Sequence, residues 1–94
     1  MSTHKSKQTL TRMAWIVELR RQGHRQCRHE LVDFGGNVCA LGLLFEMIGS
    51  PMSLDWPQHA AGLSRENIDR VRSANDSGKS FAQVADLIEE MAGG

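Results

Sequence analysis

Asn75 to Gln83 instructs the chain to stop one helix and begin another, and that constraint decides what its last third can become. Asn75-Asp76-Ser77-Gly78 is the stop, because Gly78 has no Cβ and enters the left-handed conformation of a C-terminal cap without steric penalty. Ser80 followed by Gln83 matches a capping box, in which each side chain satisfies an amide that the first helical turn would otherwise leave orphaned. Upstream, Ser64 can cap a helix with Glu66 in its first turn, where negative charge suits the helix dipole. Ile68, Val71 and Ala74 fall on one face of that helix. Downstream, Phe81, Val84, Ala85, Ile88 and Met91 form an apolar stripe and leave Asp86, Glu89 and Glu90 outward.

Two helices around a glycine turn also begin many DNA-binding helix-turn-helix units. There, a Gly-x-Ser-x-x-x-x-Ala string like Gly78 to Ala85 opens the helix before the recognition helix. A recognition helix would have to start at Gly93-Gly94, where the sequence stops. The last helix is acidic, and phosphates dominate affinity for nucleic acid. The hairpin therefore reads as a packed αα-hairpin and not as a DNA reader.

Residues 1–8 read as a flexible basic segment, and 9–94 as a single globular domain. Thr9 or Thr11 can cap a first helix with Leu10, Met13, Ala14, Ile16, Val17 and Leu19 as a broad apolar face. Arg20 and Arg21 occupy its last turn, Gly23 ends it, and Trp15 is expected in the core. Leu31 and Val32 favour extended backbone and Phe34-Gly35-Gly36-Asn37 is turn chemistry, which allows a short hairpin near residues 30–38. Asn37 can cap a helix from Val38 to Ile48 whose only charge is Glu46, so this helix belongs mid-domain. Gly42 inside it implies that another element crosses close by, and Gly49-Ser50-Pro51 stops it. Met52, Leu54 and Trp56 lie in a loop expected to fold back as a lid; exposed, they would form an interaction hot spot. The fold class is mainly α: a compact bundle of about four helices.

Net charge is zero but unevenly distributed. Residues 1–30 hold seven Lys or Arg against Glu18 and Glu30, a net of +5, and the remainder holds four bases against nine acids, a net of −5. Such polarity can pair within the chain, attract a charged partner, or drive self-association.

Catalytic signatures are absent. His24, Cys27, His29 and Cys39 are zinc-ligand types, but His-x2-Cys-x-His with a later Cys matches no common zinc spacing. No orienting third group completes a Cys–His pair, and Gly35-Gly36 lacks the Lys-Ser/Thr of a phosphate loop. No catalytic residue, metal or cofactor is expected. Cysteine usage and the lack of a signal peptide fit a cytoplasmic protein, and the apolar run Val38 to Phe45 is too short to span a membrane.

Several strings, taken in order, carry a resemblance: Leu19-Arg-Arg-Gln-Gly-His-Arg-Gln26, Leu31, Val38-Cys-Ala-Leu-Gly-Leu-Leu-Phe-Glu46, Ala61-Gly-Leu63, and Asn75-Asp-Ser-Gly-Lys-Ser-Phe-Ala-Gln-Val-Ala-Asp-Leu-Ile-Glu89. They resemble a family of small phage and prophage proteins reading L-R-S-G-x-x-x-Q, then C-C-L-G-V-L-C-D, then L-N-D-x-G-x-S-F-x-E-I-A-D-x-I-E. The likeness covers about residues 16 to 90. Ala40 and Phe45 stand where the family has cysteines, which argues against a shared metal or redox role and leaves Cys39 as a core residue.

The resemblance implies a non-enzymatic accessory protein, active in the bacterial host cytoplasm, that binds a host or phage macromolecule. Inhibition of a defence effector, in the manner of an anti-CRISPR protein, is the leading expectation. The candidate contacts are the basic face of Arg20, Arg21, Arg25 and Arg28, the Trp56 loop, and the acidic Asp86, Glu89 and Glu90, which can imitate phosphate. The alternatives are a small nucleic-acid-binding regulator using the basic N-terminal third, and a self-associating structural accessory protein.

Overall fold

A computed structural model describes residues 6–49 and 56–93. Among these it contains five α-helices and no strand: α1 (Lys7–Arg21), α2 (Ala40–Ile48), α3 (Trp56–Ala61), α4 (Arg65–Asp76) and α5 (Phe81–Gly93), with a 3-10 turn at Gly23–Arg25. No helix among the described residues is long and apolar enough to cross a membrane.

The α4–α5 hairpin follows its sequence signals. The Asn67 amide donates to Ser64 Oγ at 3.1 Å, and the Gln83 amide to Ser80 Oγ at 3.2 Å. Gln83 Oε1 accepts in return from the Ser80 amide at 2.9 Å, closing the capping box. Gly78 sits at φ +114°, and the Lys79 amide reaches back to the Ala74 carbonyl at 3.0 Å, the long bond of a Schellman cap. Phe81, Val84, Ala85 and Ile88 are fully buried against α1 and α4.

α1 packs on α5, α3 and α2, with Trp15, Ile16 and Leu19 in the core. Its start differs from expectation. Ser6 is the cap, accepting from the Thr9 amide at 3.1 Å, so Thr9 and Thr11 lie inside the helix. Most of the basic segment expected at residues 1–8 lies outside the described residues; Lys7 and Gln8 begin α1.

The rotation of α1 about its axis also differs. Leu10 (54% exposed), Met13 (45%) and Val17 (52%) point away from the core, with Ala14 exposed among them. Three long-range hydrogen bonds fix that rotation. Gln8 Nε2 donates to the His59 carbonyl at 2.7 Å, Arg12 to the Ala61 carbonyl at 2.8 Å, and Trp15 Nε1 to the Ala40 carbonyl at 2.9 Å. The Gln8 and Arg12 bonds satisfy carbonyls at the C-terminal end of α3, where a guanidinium also suits the dipole.

α2 is central, with Ala40 to Leu44 buried, but Phe45 and Ile48 emerge at its far end. It begins two residues later than expected and is capped by Cys39, whose Sγ accepts from the Gly42 amide at 3.3 Å. Asn37 is not the cap, because Asp33 engages it. The expected crossing at Gly42 is present: a Cβ there would collide with the backbone carbonyl of Leu31. The excursion near 30–38 exists without strands, as isolated bridges from Val38 to Gln26 and to Val32.

The last turn-and-a-half of the expected 51–62 loop is helical as α3. Pro57 supports its opening, since a proline in the first turn lacks only an amide that has no partner there. Trp56 is half-buried, edge-on to Phe45 with ring centroids 5.5 Å apart, as a lid would place it. Met52 and Leu54, the rest of that lid, lie outside the described residues.

Candidate interaction surfaces

The arginines expected to form a basic face are largely committed to other parts of the same molecule. Arg20 bridges from α1 to α5, 2.8 Å from Asp86 Oδ1 and 3.2 Å from Glu89 Oε1. Arg21 pairs with Glu18 at 2.8 Å within its own helix. Arg25 meets Glu46 at 2.8 Å, the Gly36 carbonyl at 2.7 Å and Gln22 Oε1 at 2.8 Å. Arg28 donates to the Lys79 carbonyl at 3.3 Å. The two oppositely charged halves of the chain therefore meet inside one molecule. Asp86 and Glu89 share a counter-ion, while Glu90 joins no ion pair among the described residues.

Asn75 and Gln26 form a polar node that sequence reasoning treated only as turn and loop residues. Asn75, 1% exposed, accepts at Oδ1 from Gln26 Nε2 at 3.0 Å and from the Ala40 amide at 3.2 Å. Its Nδ2 donates to the Cys27 carbonyl at 3.0 Å and to Asp76 Oδ1 at 3.2 Å. Gln26 also donates to the Lys79 carbonyl at 2.7 Å and accepts from the Phe81 amide at 3.1 Å, joining the loop to the start of α5. No buried side-chain polar atom among the described residues lacks a partner. Gln26, Asn75, Asp76 and Phe81 all belong to the strings quoted for the family resemblance, and in this chain those strings hold the fold together.

Cys27 and Cys39 are unsuited to nucleophilic work. Burial pushes both thiols above their ordinary value of 9.0; Asp33 adds to the effect at Cys27. Both stay protonated at neutral pH, whereas the thiolate is the reactive form. No group of three or more His, Cys, Asp or Glu among the described residues could hold a metal ion. His29 instead pairs with Asp76, its Nδ1 3.8 Å from Oδ2, and its amide donates to Asp76 Oδ1 at 2.8 Å. That bond helps hold His29 at φ +70°, a conformation uncommon outside glycine though histidine is enriched there.

Among the described residues, two groups of apolar side chains also stand exposed. One surface is the outward stripe of α1, Leu10, Met13, Ala14 and Val17, two turns long at the spacing of a helix–helix seam. The other is a knuckle at Leu31, Val32 and Phe34, with Phe34 fully exposed at its tip. Sequence reasoning missed the knuckle, although Asp33 followed by Gly35-Gly36-Asn37 is the signal for it. Asp33 Oδ1 accepts from the Gly35 amide at 2.8 Å and the Asn37 amide at 2.9 Å, and its Oδ2 from Asn37 Nδ2 at 3.1 Å. The Asp33 amide donates to the Asn37 carbonyl at 2.9 Å, and Arg25 clamps Gly36. A loop closed by its own hydrogen bonds cannot fold Phe34 inward.

These contacts make the knuckle sensitive to acid. Asn37 lowers the Asp33 carboxyl below its ordinary 3.8, and Arg25 lowers Glu46 below 4.5. Burial raises Asp76, but the His29 amide and Asn75 outweigh it and leave the net shift downward from 3.8. Depressed carboxylates contribute stability that is fully present above the unfolded values and is lost as pH falls through the folded ones. The urea midpoint is therefore expected to be flat from neutral pH to about 5 and to fall steadily below about 4. Asp33→Asn should flatten part of that fall; an unchanged slope would show that the loop contributes none of it.

Comparison with family models, curated proteins and solved structures gives no match.

Proposed function

We propose that this chain is a non-enzymatic phage or prophage accessory protein that binds a host protein, with a bacterial defence effector as its target. One observation carries the binding reading: the outward stripe Leu10, Met13, Ala14 and Val17 on α1. α1 already buries Trp15, Ile16 and Leu19 on its opposite side, so the fold does not need the stripe. A contiguous exposed apolar stripe on a helix is the surface that helix-in-groove recognition uses, with anchors at i, i+3 and i+7. The phage setting and the anti-defence target rest on the family resemblance alone.

The internal pairing of Arg20, Arg21 and Arg25 weakens the nucleic-acid alternative, because three cations of the basic N-terminal third already face carboxylates of the same molecule. Arg20 likewise weakens phosphate mimicry by Asp86 and Glu89.

The test is phage plating on bacteria that carry an active CRISPR system and express the chain. Wild type is expected to restore plaques from a targeted phage. Met13→Asp combined with Val17→Asp should return plating to the vector level. Both side chains are about half exposed, so the stability change should stay within roughly 0.5 kcal/mol per site. Failure of wild type to protect would reject the defence target, and protection by the folded double variant would reject the stripe.

A further inference from the structure

A small pocket between the loop, the start of α2 and α4 shares Leu31 with the knuckle. The pocket, about 140 Å³, has Leu31, Cys39 and Leu41 in its lining, with His29, Arg72 and Asp76 among its polar wall. Its size is close to that of an apolar cavity of about 150 Å³ that takes up a benzene ring. Phe34, three residues from Leu31, presents such a ring with no contact of its own to lose, since it is fully exposed.

We propose that two copies of the chain associate about a two-fold axis beside Val32, each inserting Phe34 into the pocket next to Leu31 of the other. A two-fold contact requires one patch to carry both halves of a complementary pair, and Leu31 to Phe34 does. The loop backbone adds little ordering cost, because Asp33, Asn37 and Arg25 already hold it, and the Phe34 side chain alone is immobilised on entry. Val32, half exposed between knob and pocket, is covered at the axis.

The charges around the pocket also favour a second copy. Arg72 stands against Glu30 and Asp76 on the rim, so two identical rims do not present a single repelling sign. Arg72, whose guanidinium lies 3.4 Å from Asp69 Oδ1, belongs to the same wall, and a cation there is attracted to the face of an incoming phenylalanine ring, though less than to tryptophan. The strained backbone of His29, held by Asp76, shapes the same wall. The contact is small, which places it among weak, concentration-dependent associations. It is independent of the α1 stripe.

Sedimentation velocity over a concentration series tests this directly. The apparent mass should rise from that of one 10.5 kDa chain toward twice that value. Phe34→Ala removes two symmetric anchors and should weaken association by roughly a hundredfold, about tenfold for each. Its fold is safe, since the side chain touches nothing. Leu31→Asp, which spoils the pocket and spares the knob, should weaken association comparably. Mixing the two variants restores one intact knob-in-pocket contact, so the mixture should associate more strongly than either variant alone. A wild-type chain that is monomeric at every concentration overturns the proposal. So does a dimer indifferent to Phe34→Ala, or a mixture no stronger than its components. If Phe34→Ala abolishes plaque protection while wild type stays monomeric, Phe34 belongs to a foreign contact and the dimer is likewise rejected.

Discussion

Asn75→Ala is expected to remove about 3–4 kcal/mol of folding free energy, a large share of the roughly 5–15 kcal/mol that holds a domain of this size together. The residue is among the most buried polar groups of the chain and makes four hydrogen bonds. Alanine strands two groups together, the buried Ala40 amide at the start of α2 and the Cys27 carbonyl, and leaves Gln26 Nε2 with the Lys79 carbonyl alone. Each buried group left without a partner costs about 1–3 kcal/mol, and water relieves only those that it can reach. Gln26 then loses the anchor that lets it serve the Lys79 carbonyl and the Phe81 amide, so the damage spreads to the hairpin turn. The thermal midpoint should fall by roughly 15–25 °C, followed by circular dichroism. Asn75→Asp keeps the acceptor and loses the donor, setting a carboxylate against the Cys27 carbonyl and Asp76. It should therefore be nearly as damaging at neutral pH. A loss below about 1 kcal/mol for the alanine variant would mean that water replaces these bonds and that the node is not a keystone.

The same node marks the boundary of what the sequence reveals. Helix caps are local, and Ser64, Gly78, Ser80 and Gln83 act as their spacing predicts because donor and acceptor lie within a few residues. Gly42 was legible for a related reason: a glycine inside an apolar helix has few uses besides admitting a neighbour. The rotation of α1 was not legible. Its apolar residues lie on both sides, so periodicity offers two faces, and the choice rests with Gln8, Arg12 and Trp15, whose partners lie 51, 49 and 25 residues away.

The internal partners of the candidate arginines were hidden for the same reason. Arg20 and Arg25 look like a basic surface in one dimension, and only the fold brings Asp86, Glu89 and Glu46 to them. Asn37 is an acceptable helix cap by type, but Asp33 claims it first. Phe34 was legible in principle, from an Asp-Phe-Gly-Gly-Asn loop that binds its own backbone. Missing it followed from reading the segment as a hairpin turn, in which an aromatic side chain can fold back onto a strand.

Gly42→Ala reverses a general expectation and therefore tests the packing of that loop most sharply. Alanine is the better helix former by about 1 kcal/mol, so in an open helix the change stabilises. Here the new methyl group lands on the Leu31 carbonyl, with Val38 Cβ 3.3 Å away on another side. The obstruction is backbone, which cannot swing aside as a side chain can. Relief requires Leu31 to withdraw, and its carbonyl accepts the Cys39 amide at 3.1 Å just where α2 begins. The expected result is a net destabilisation of about 2–3 kcal/mol, the usual scale of overpacking with a tethered neighbour. Gly23→Ala is the matched control: a Cβ there meets nothing within 4 Å, so its midpoint should stay near wild type. Because Leu31 also walls the pocket beside Phe34, the chains of Gly42→Ala that remain folded should self-associate less than wild type at equal concentration. A stabilised Gly42→Ala in urea denaturation would show that Leu31 is free to move, and would remove the rigid wall on which the knob-and-pocket contact depends.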